Sequence, residues 1–186
     1  YNPIRSVANH FAPEDRAAVL ENIYYSKEWS AMDRGDYSVE EALGMMLSRL
    51  PERLHAEARK MVLERETEMP PIDAMYPIVK TLKDDGYKIY LLSNCPEWFD
   101  DFKKSVPAFA FFDGFIISAY YNEIKPDEKI YEILFKEFSI KPEESFFIDD
   151  SEANIKTAER LGMKAHCFAD RDFDRLKQNM RDRNIL

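Results

Sequence analysis

Residues 146–154 read FFIDDSEAN, an apolar run that ends abruptly in two adjacent carboxylates, Asp149 and Asp150. A short β-rich run of this kind, SFFID, followed by a helical stretch from Glu152 to Leu161 and a second run, KAHCF, has the rhythm of a strand, a crossover helix and a parallel strand. The same rhythm extends upstream. A helix over 73–85, with Pro77 in its first turns and Gly86 at its end, feeds YKIYLLSN. A helix from Pro96, the strand GFIIS and a helix from Pro126 to Phe138 follow. Short apolar strands separated by ten-residue helices predict an α/β fold, a parallel sheet covered on both faces with right-handed crossovers.

Before Pro70 and Pro71 the periodicity is helical instead. Pro13 with Glu14 and Asp15 opens one helix, and Leu20, Ile23 and Tyr24 share its face. Ser38 and Glu41 have capping-box spacing ahead of Leu43, Met46, Leu47 and Leu50, and Pro51 opens a third helix. Two lobes are expected: residues 1–70 as an all-helical bundle and residues 71–186 as the α/β core.

The bulk numbers limit what such a protein does. A chain of 186 residues, 45% hydrophobic, is long enough for a well-filled core. With 26 basic against 35 acidic side chains and no basic cluster, nucleic acid and anionic membranes are poor partners. Cys95 and Cys167 lie far apart and form no CxxC pair, which fits a reducing cytoplasm. No apolar run reaches membrane-spanning length.

In open α/β sheets ligands bind beyond the carboxyl ends of the strands. That rule selects Ser93 and Asn94 after IYLL, Lys125 in YNEIKPDEKIY, and Asp149 with Asp150. Adjacent carboxylates repel unless a cation neutralises them, and Mg2+ takes oxygen ligands from one or two carboxylates together with water and phosphate. A lysine and a serine hydroxyl suit a phosphoryl group. Each feature has a plainer reading: the acids as an N-cap and dipole partner, Ser93-Asn94 as a turn, Lys125 as a solvated side chain. Their joint order along the strands favours a Mg2+-phosphate site.

From LLSNCPEWFDDF through KPDEKIYEILFKEFSIKPEESFFIDDSEANIKTAERLGM, the chain resembles the haloacid dehalogenase (HAD) superfamily, in particular its helical-cap phosphatases. The resemblance implies a Rossmann-like core with the 1–70 lobe as a cap. It implies Ser93 as phosphate ligand with Asn94 beside it, Lys125 as the conserved lysine, and Asp150 and Asp149 as metal acids. Asn154 falls where some relatives place a further acid.

The resemblance also implies a central first strand bearing an aspartate nucleophile and a general acid, a motif that relatives place just before a segment like the opening YNPIR. Asp170 and Asp172 in CFADRDFD have similar spacing but lie on the last strand, and read as an exposed acidic loop. Asp84-Asp85 and Asp100-Asp101 read as solvated helix ends. Without the first strand, the neighbours carrying Ser93 and Asp149 lack a shared partner, so the chain is expected to be an incomplete record of a longer protein or to be completed by another segment.

The implied activity is Mg2+-dependent hydrolysis of a small phosphomonoester through an aspartyl phosphate, with the nucleophile upstream of residue 1. Two alternatives stand beside it. One is a 2-haloacid dehalogenase, which the acid pair disfavours; the other is a non-catalytic phospholigand-binding module. Trp29, Asp33, Arg34 and Tyr37 in the connection EWSAMDRGDYS are candidates for substrate contact. His10, His55 and His166 show no ligand spacing, and Met45-Met46 reads as core filling.

Overall fold

The computed structural model describes residues 3–64 and 72–186. The first stretch is helical throughout. Helix α1 spans Pro3–His10, and α2, Pro13–Val19, runs on into a π-helical turn at Leu20–Tyr24. Helix α3 spans Lys27–Arg34, α4 spans Val39–Leu47, and a 3-10 turn at Glu52–Leu54 leads into α5, His55–Leu63.

Local chemistry sets these ends. Ser26 Oγ accepts from Trp29 N at 3.2 Å to start α3, and Gly35, at φ 85°, ends it in the left-handed region that a side chain resists. The capping box at α4 is complete, with Ser38 Oγ accepting from Glu41 N at 3.3 Å and Glu41 Oε2 accepting from Ser38 N at 2.9 Å. The apolar faces meet in one cluster built on Val7, Val19, Ile23, Met32, Leu43, Met46 and Met61.

Two expectations change here. Residues 28–38, read as a connection, are helical through Arg34; Ser26 caps the segment, and Met32 on its inner face packs into the cluster. Pro51 precedes a 3-10 turn rather than opening an α-helix directly. The expected lobe boundary at 70/71 lies outside the described residues.

The second stretch alternates. Helix α6 (Met75–Asp84) leads to β1 (Tyr90–Ser93), a short α7 (Phe99–Lys103) and β2 (Gly114–Ile117). Next come α8 (Ser118–Tyr121), α9 (Glu128–Phe138), β3 (Phe146–Asp149), α10 (Glu152–Arg160), β4 (Lys164–Cys167) and α11 (Phe173–Arg181). The strands are shorter than their apolar runs, and α7 begins three residues after Pro96. Helix α11 has no counterpart in the sequence reading. Its inner face is carried by Leu176 and Met180 alone among fully buried residues, a sparse signal for helical periodicity.

Strands β1 and β2 pair in parallel, Ser93 opposite Ile117, and β3 and β4 pair in parallel, Asp149 opposite Cys167. Among the described residues these are two separate two-stranded sheets, with no ladder between β1 and β3. They nevertheless share one apolar core. Leu92 and Ile116 of the first pair and Phe147 and Ala165 of the second share a cluster with Ile130, Tyr131 and Leu134 of α9 and Ile155 and Ala158 of α10. On the opposite face of the second pair, Phe146 and Ile148 meet Ile78 of α6 and Leu176 and Met180 of α11. Helices thus cover both faces, the arrangement that makes buried strands continuously apolar.

Candidate active site

The carboxyl ends of β1 and β3 carry the polar groups that the strand-end rule selects. Lys125, in the segment leading into α9, joins them. Its Nζ donates to Leu92 O on β1 at 2.7 Å and to Asp149 Oδ2 on β3 at 2.6 Å. The two side chains are only 9% and 7% exposed, so this is a buried ion pair that spans the interval between the strand pairs. Phe147 lies below it, its ring centroid 5.7 Å from Nζ.

Backbone and amide donors hold the rest in place. Asn94 Nδ2 donates to Lys125 O at 2.9 Å while Lys125 N donates to Asn94 Oδ1 at 2.8 Å, a two-point clamp between the β1 loop and the lysine segment. Asp149 Oδ1 accepts from Ser151 N and from Asn154 Nδ2, each at 2.9 Å. Burial first, and the nearby Asp149 charge second, hold the Tyr131 hydroxyl above its ordinary pKa, and that hydroxyl donates to Asn154 O at 3.0 Å.

Asp149 therefore receives three donors out of the roughly four lone-pair directions a carboxylate offers. Asp150 is exposed just past the strand, and although its backbone carbonyl accepts from Cys167 Sγ at 3.9 Å, its carboxylate accepts no hydrogen bond among the described residues. Mg2+ is commonly held by one or two carboxylates, with water and phosphate completing its shell. The pair fits such an ion with Asp150 as the carboxylate of greater free capacity and Asp149 beside it. No group of three or more His, Cys, Asp or Glu side chains suited to a metal occurs among the described residues.

The structure thus brings Asn94, Lys125 and Asp149 into contact, with Ser93 half-buried at the end of the same strand as Leu92 and Asp150 adjacent. Trp29 is different. It stacks at a tilt on Tyr24, 4.6 Å between centroids, and packs against the helical cluster. Arg34 stands at the end of α3, its guanidinium 3.9 Å from both Asp36 and Asp127, the latter just before α9. Tyr37 is exposed, and Asp33 presents its carbonyl to Ser118 Oγ. Asp172 caps α11, accepting from Asp174 N and Arg175 N at 3.0 Å, and Asp170 pairs with Arg175 at 2.7 Å. Sequence reasoning passed over Ser118, although it directly follows GFII and the strand-end rule selects it as readily as Ser93.

Comparison with known proteins bears on the fold and the family. The flavin mononucleotide hydrolase of Arabidopsis thaliana is 28% identical over 101 residues, 54% of this chain and 41% of that protein. A sesquiterpene phosphatase of Aspergillus oryzae is 26% identical over 147 residues, 77% of this chain and 74% of its own length. The chain therefore spans less than half of the first relative and about three quarters of the second. A HAD family enzyme of Bacteroides thetaiotaomicron, solved with magnesium and inorganic phosphate, superposes with a TM-score of 0.64 at 19% identity, covering 89% of this chain and 84% of that one. The family model for haloacid dehalogenase-like hydrolases matches residues 20–168, well over half of the sequence, and the chain belongs to that family.

Proposed function

We propose that this protein hydrolyses a small organic phosphomonoester with the help of Mg2+. The observation that carries the reading is the buried Lys125–Asp149 pair, which joins the ends of β1 and β3 with Ser93 and Asn94 on one side and Asp150 on the other. The names of the two phosphatase relatives, and a structural neighbour bound to magnesium and phosphate, support it.

In this reading Ser93 and the Lys125 ammonium bind the phosphoryl oxygens, and Asn94 keeps the lysine segment in register through its two-point clamp. Asp150, with Asp149 beside it, holds Mg2+, which when bound supplies charge stabilisation to the phosphoryl group. The phosphorus accepts an aspartate carboxylate expected on a strand lying between β1 and β3, where both present unpaired edges among the described residues. The monoester P–O bond breaks and the leaving oxygen departs as the alcohol, protonated by the general acid expected on that same strand; water, losing a proton to that group, then attacks the phosphorus, breaks the aspartyl P–O bond and releases phosphate. Residues 1–70 serve as the cap lobe and 71–186 as the core, and the cap selects the substrate. Of the cap candidates Arg34, at the lobe junction, is better placed than Trp29, which is engaged in packing. The setting is a reducing compartment such as the cytoplasm, in keeping with only two cysteines, far apart in the sequence and forming no CxxC pair. No helix among the described residues is long and apolar enough to cross a membrane.

The test is phosphate release by the full-length protein from flavin mononucleotide and p-nitrophenyl phosphate, with and without Mg2+. We expect turnover that requires the ion and falls by at least about a hundredfold in Asp150→Asn. Release of halide from a 2-haloacid without metal would put the dehalogenase reading in its place. Phosphate binding with no release would leave a binding module.

A further inference from the structure

Among the described residues the helical stretch meets the α/β stretch at the turn 33–39 and against Trp98, and the buried Ser118 hydroxyl lies beneath that turn. Ser118, at the start of α8, is fully buried. Its Oγ accepts from Cys95 N at 2.9 Å and donates toward Asp33 O at the end of α3. A second acceptor, Cys95 O, stands 3.3 Å from the same oxygen. Around it the fit is close. Gly35 lies against Ala119, where a β-carbon would overlap the carbonyl oxygen. Asn122 Nδ2 donates to Arg34 O and Val39 N donates to Glu97 Oε1, both at 3.4 Å. Trp98 packs against both the helical cluster and the cluster around Phe99 and Ile117.

We propose that Ser118 is a positioning residue that couples the seat of the helical lobe to the loop carrying Ser93 and Asn94. A serine hydroxyl has one proton to donate, and here two carbonyls compete for it. With the 33–39 turn seated, the proton goes to Asp33 O, while the Cys95 N–H donates to Ser118 Oγ and the Cys95 carbonyl accepts from Ala119 N at 3.4 Å. With the turn lifted, the proton moves to Cys95 O and the hydroxyl stays satisfied, so the contact opens without leaving an orphaned buried donor. Cys95 directly follows Asn94, whose side chain clamps Lys125. The turn's position is thereby felt at the site.

The functional consequence rests on the phosphatase reading: Ser118→Ala raises KM for a bulky monoester with kcat kept. The physical test needs no turnover. Amide hydrogen exchange of the full chain is followed by peptide in the wild type, Ser118→Ala and Gly35→Ala. A hydrogen bond is worth about 0.5–1.5 kcal/mol net, so exchange in 33–37 on the helical lobe should rise roughly two- to tenfold in Ser118→Ala. Peptide 94–98 should rise similarly in Gly35→Ala, whose added β-carbon meets the Ala119 carbonyl and pushes the turn off its seat, while the β3–β4 pair keeps wild-type protection. Acceleration confined to the mutated lobe, or spread evenly over the chain, overturns the coupling. If instead no variant or wild-type protein turns over while exchange behaves as stated, the phosphatase reading fails and the coupling stands.

Discussion

Replacing Lys125 by methionine removes the charge at the centre of the site and keeps most of the side-chain volume. The ammonium and the Asp149 carboxylate are 2.6 Å apart and 9% and 7% exposed. At that separation two unit charges attract by about 6 kcal/mol with an effective dielectric of about 20. Desolvating both ions takes back several kcal/mol, so the intact pair contributes little net stability. Removing one partner is a different matter, because the other charge is left buried; such losses run about 3–5 kcal/mol. Asp149 keeps two donors, Ser151 N and Asn154 Nδ2, which places Lys125→Met at the low end, about 3 kcal/mol. Urea unfolding at pH 7, followed by circular dichroism, measures it. Asp149→Asn strands the lysine in turn, and the double variant should fall short of the summed losses by about 1–3 kcal/mol. A single-variant loss below about 1 kcal/mol, or additivity within about 0.5 kcal/mol, would refute the reasoning.

Two further expectations concern pH. Lys83 above all, aided by the Ile89 N–H and Lys88, pulls the Asp113 carboxyl from 3.8 down to about 2. Its folded pKa lies below the unfolded one, so its stabilisation is complete above the ordinary carboxylate range and lost as pH falls from 3.8 toward about 2. Asp113→Asn should flatten unfolding midpoints across that window, and an unchanged slope would count against the ion pair. His166 is buried on β4, its Nε2 without a hydrogen-bond partner among the described residues, and burial chiefly pushes its pKa below the ordinary 6.5. The folded state then binds fewer protons than the unfolded one, so stability is full above 6.5 and declines as pH drops through it. His166→Phe should remove that decline in urea midpoints measured from pH 7.5 to 5.

How much of this was legible in the sequence follows from which signals were local. The capping box at Ser38, the proline start at Pro13 and the four apolar runs depend on neighbouring residues, and all appear where their chemistry requires. Helix α3 was missed because its sequence, KEWSAMDR, has one buried apolar residue, Met32, and a buried Glu28 in place of a second. That glutamate is stabilised by Arg49, at 3.0 and 2.7 Å, from the turn just beyond α4, a partner no periodicity reveals. The strand-end rule selected Ser93, Asn94, Lys125, Asp149 and Asp150, but could not show that Asp149 is occupied by Lys125, Ser151 and Asn154. Spacing gives position along a sheet, whereas occupancy of a carboxylate is a matter of three-dimensional contacts.

That occupancy decides which substitution speaks about chemistry. Lys125 is both the cation proposed for the phosphoryl group and the strut between β1 and β3, since its one ammonium bonds Leu92 O and Asp149 together. Loss of turnover in Lys125→Ala would follow from either role. Asp150 is free of that ambiguity. It is exposed, and no side-chain bond of the site passes through it, so Asp150→Asn should alter stability by no more than about 0.5 kcal/mol. Mg2+ titration followed by calorimetry then separates the roles: weakened binding with an unchanged urea midpoint assigns the ion to Asp150, while unchanged binding moves the ion elsewhere and leaves the acid pair as the N-terminal partner of α10.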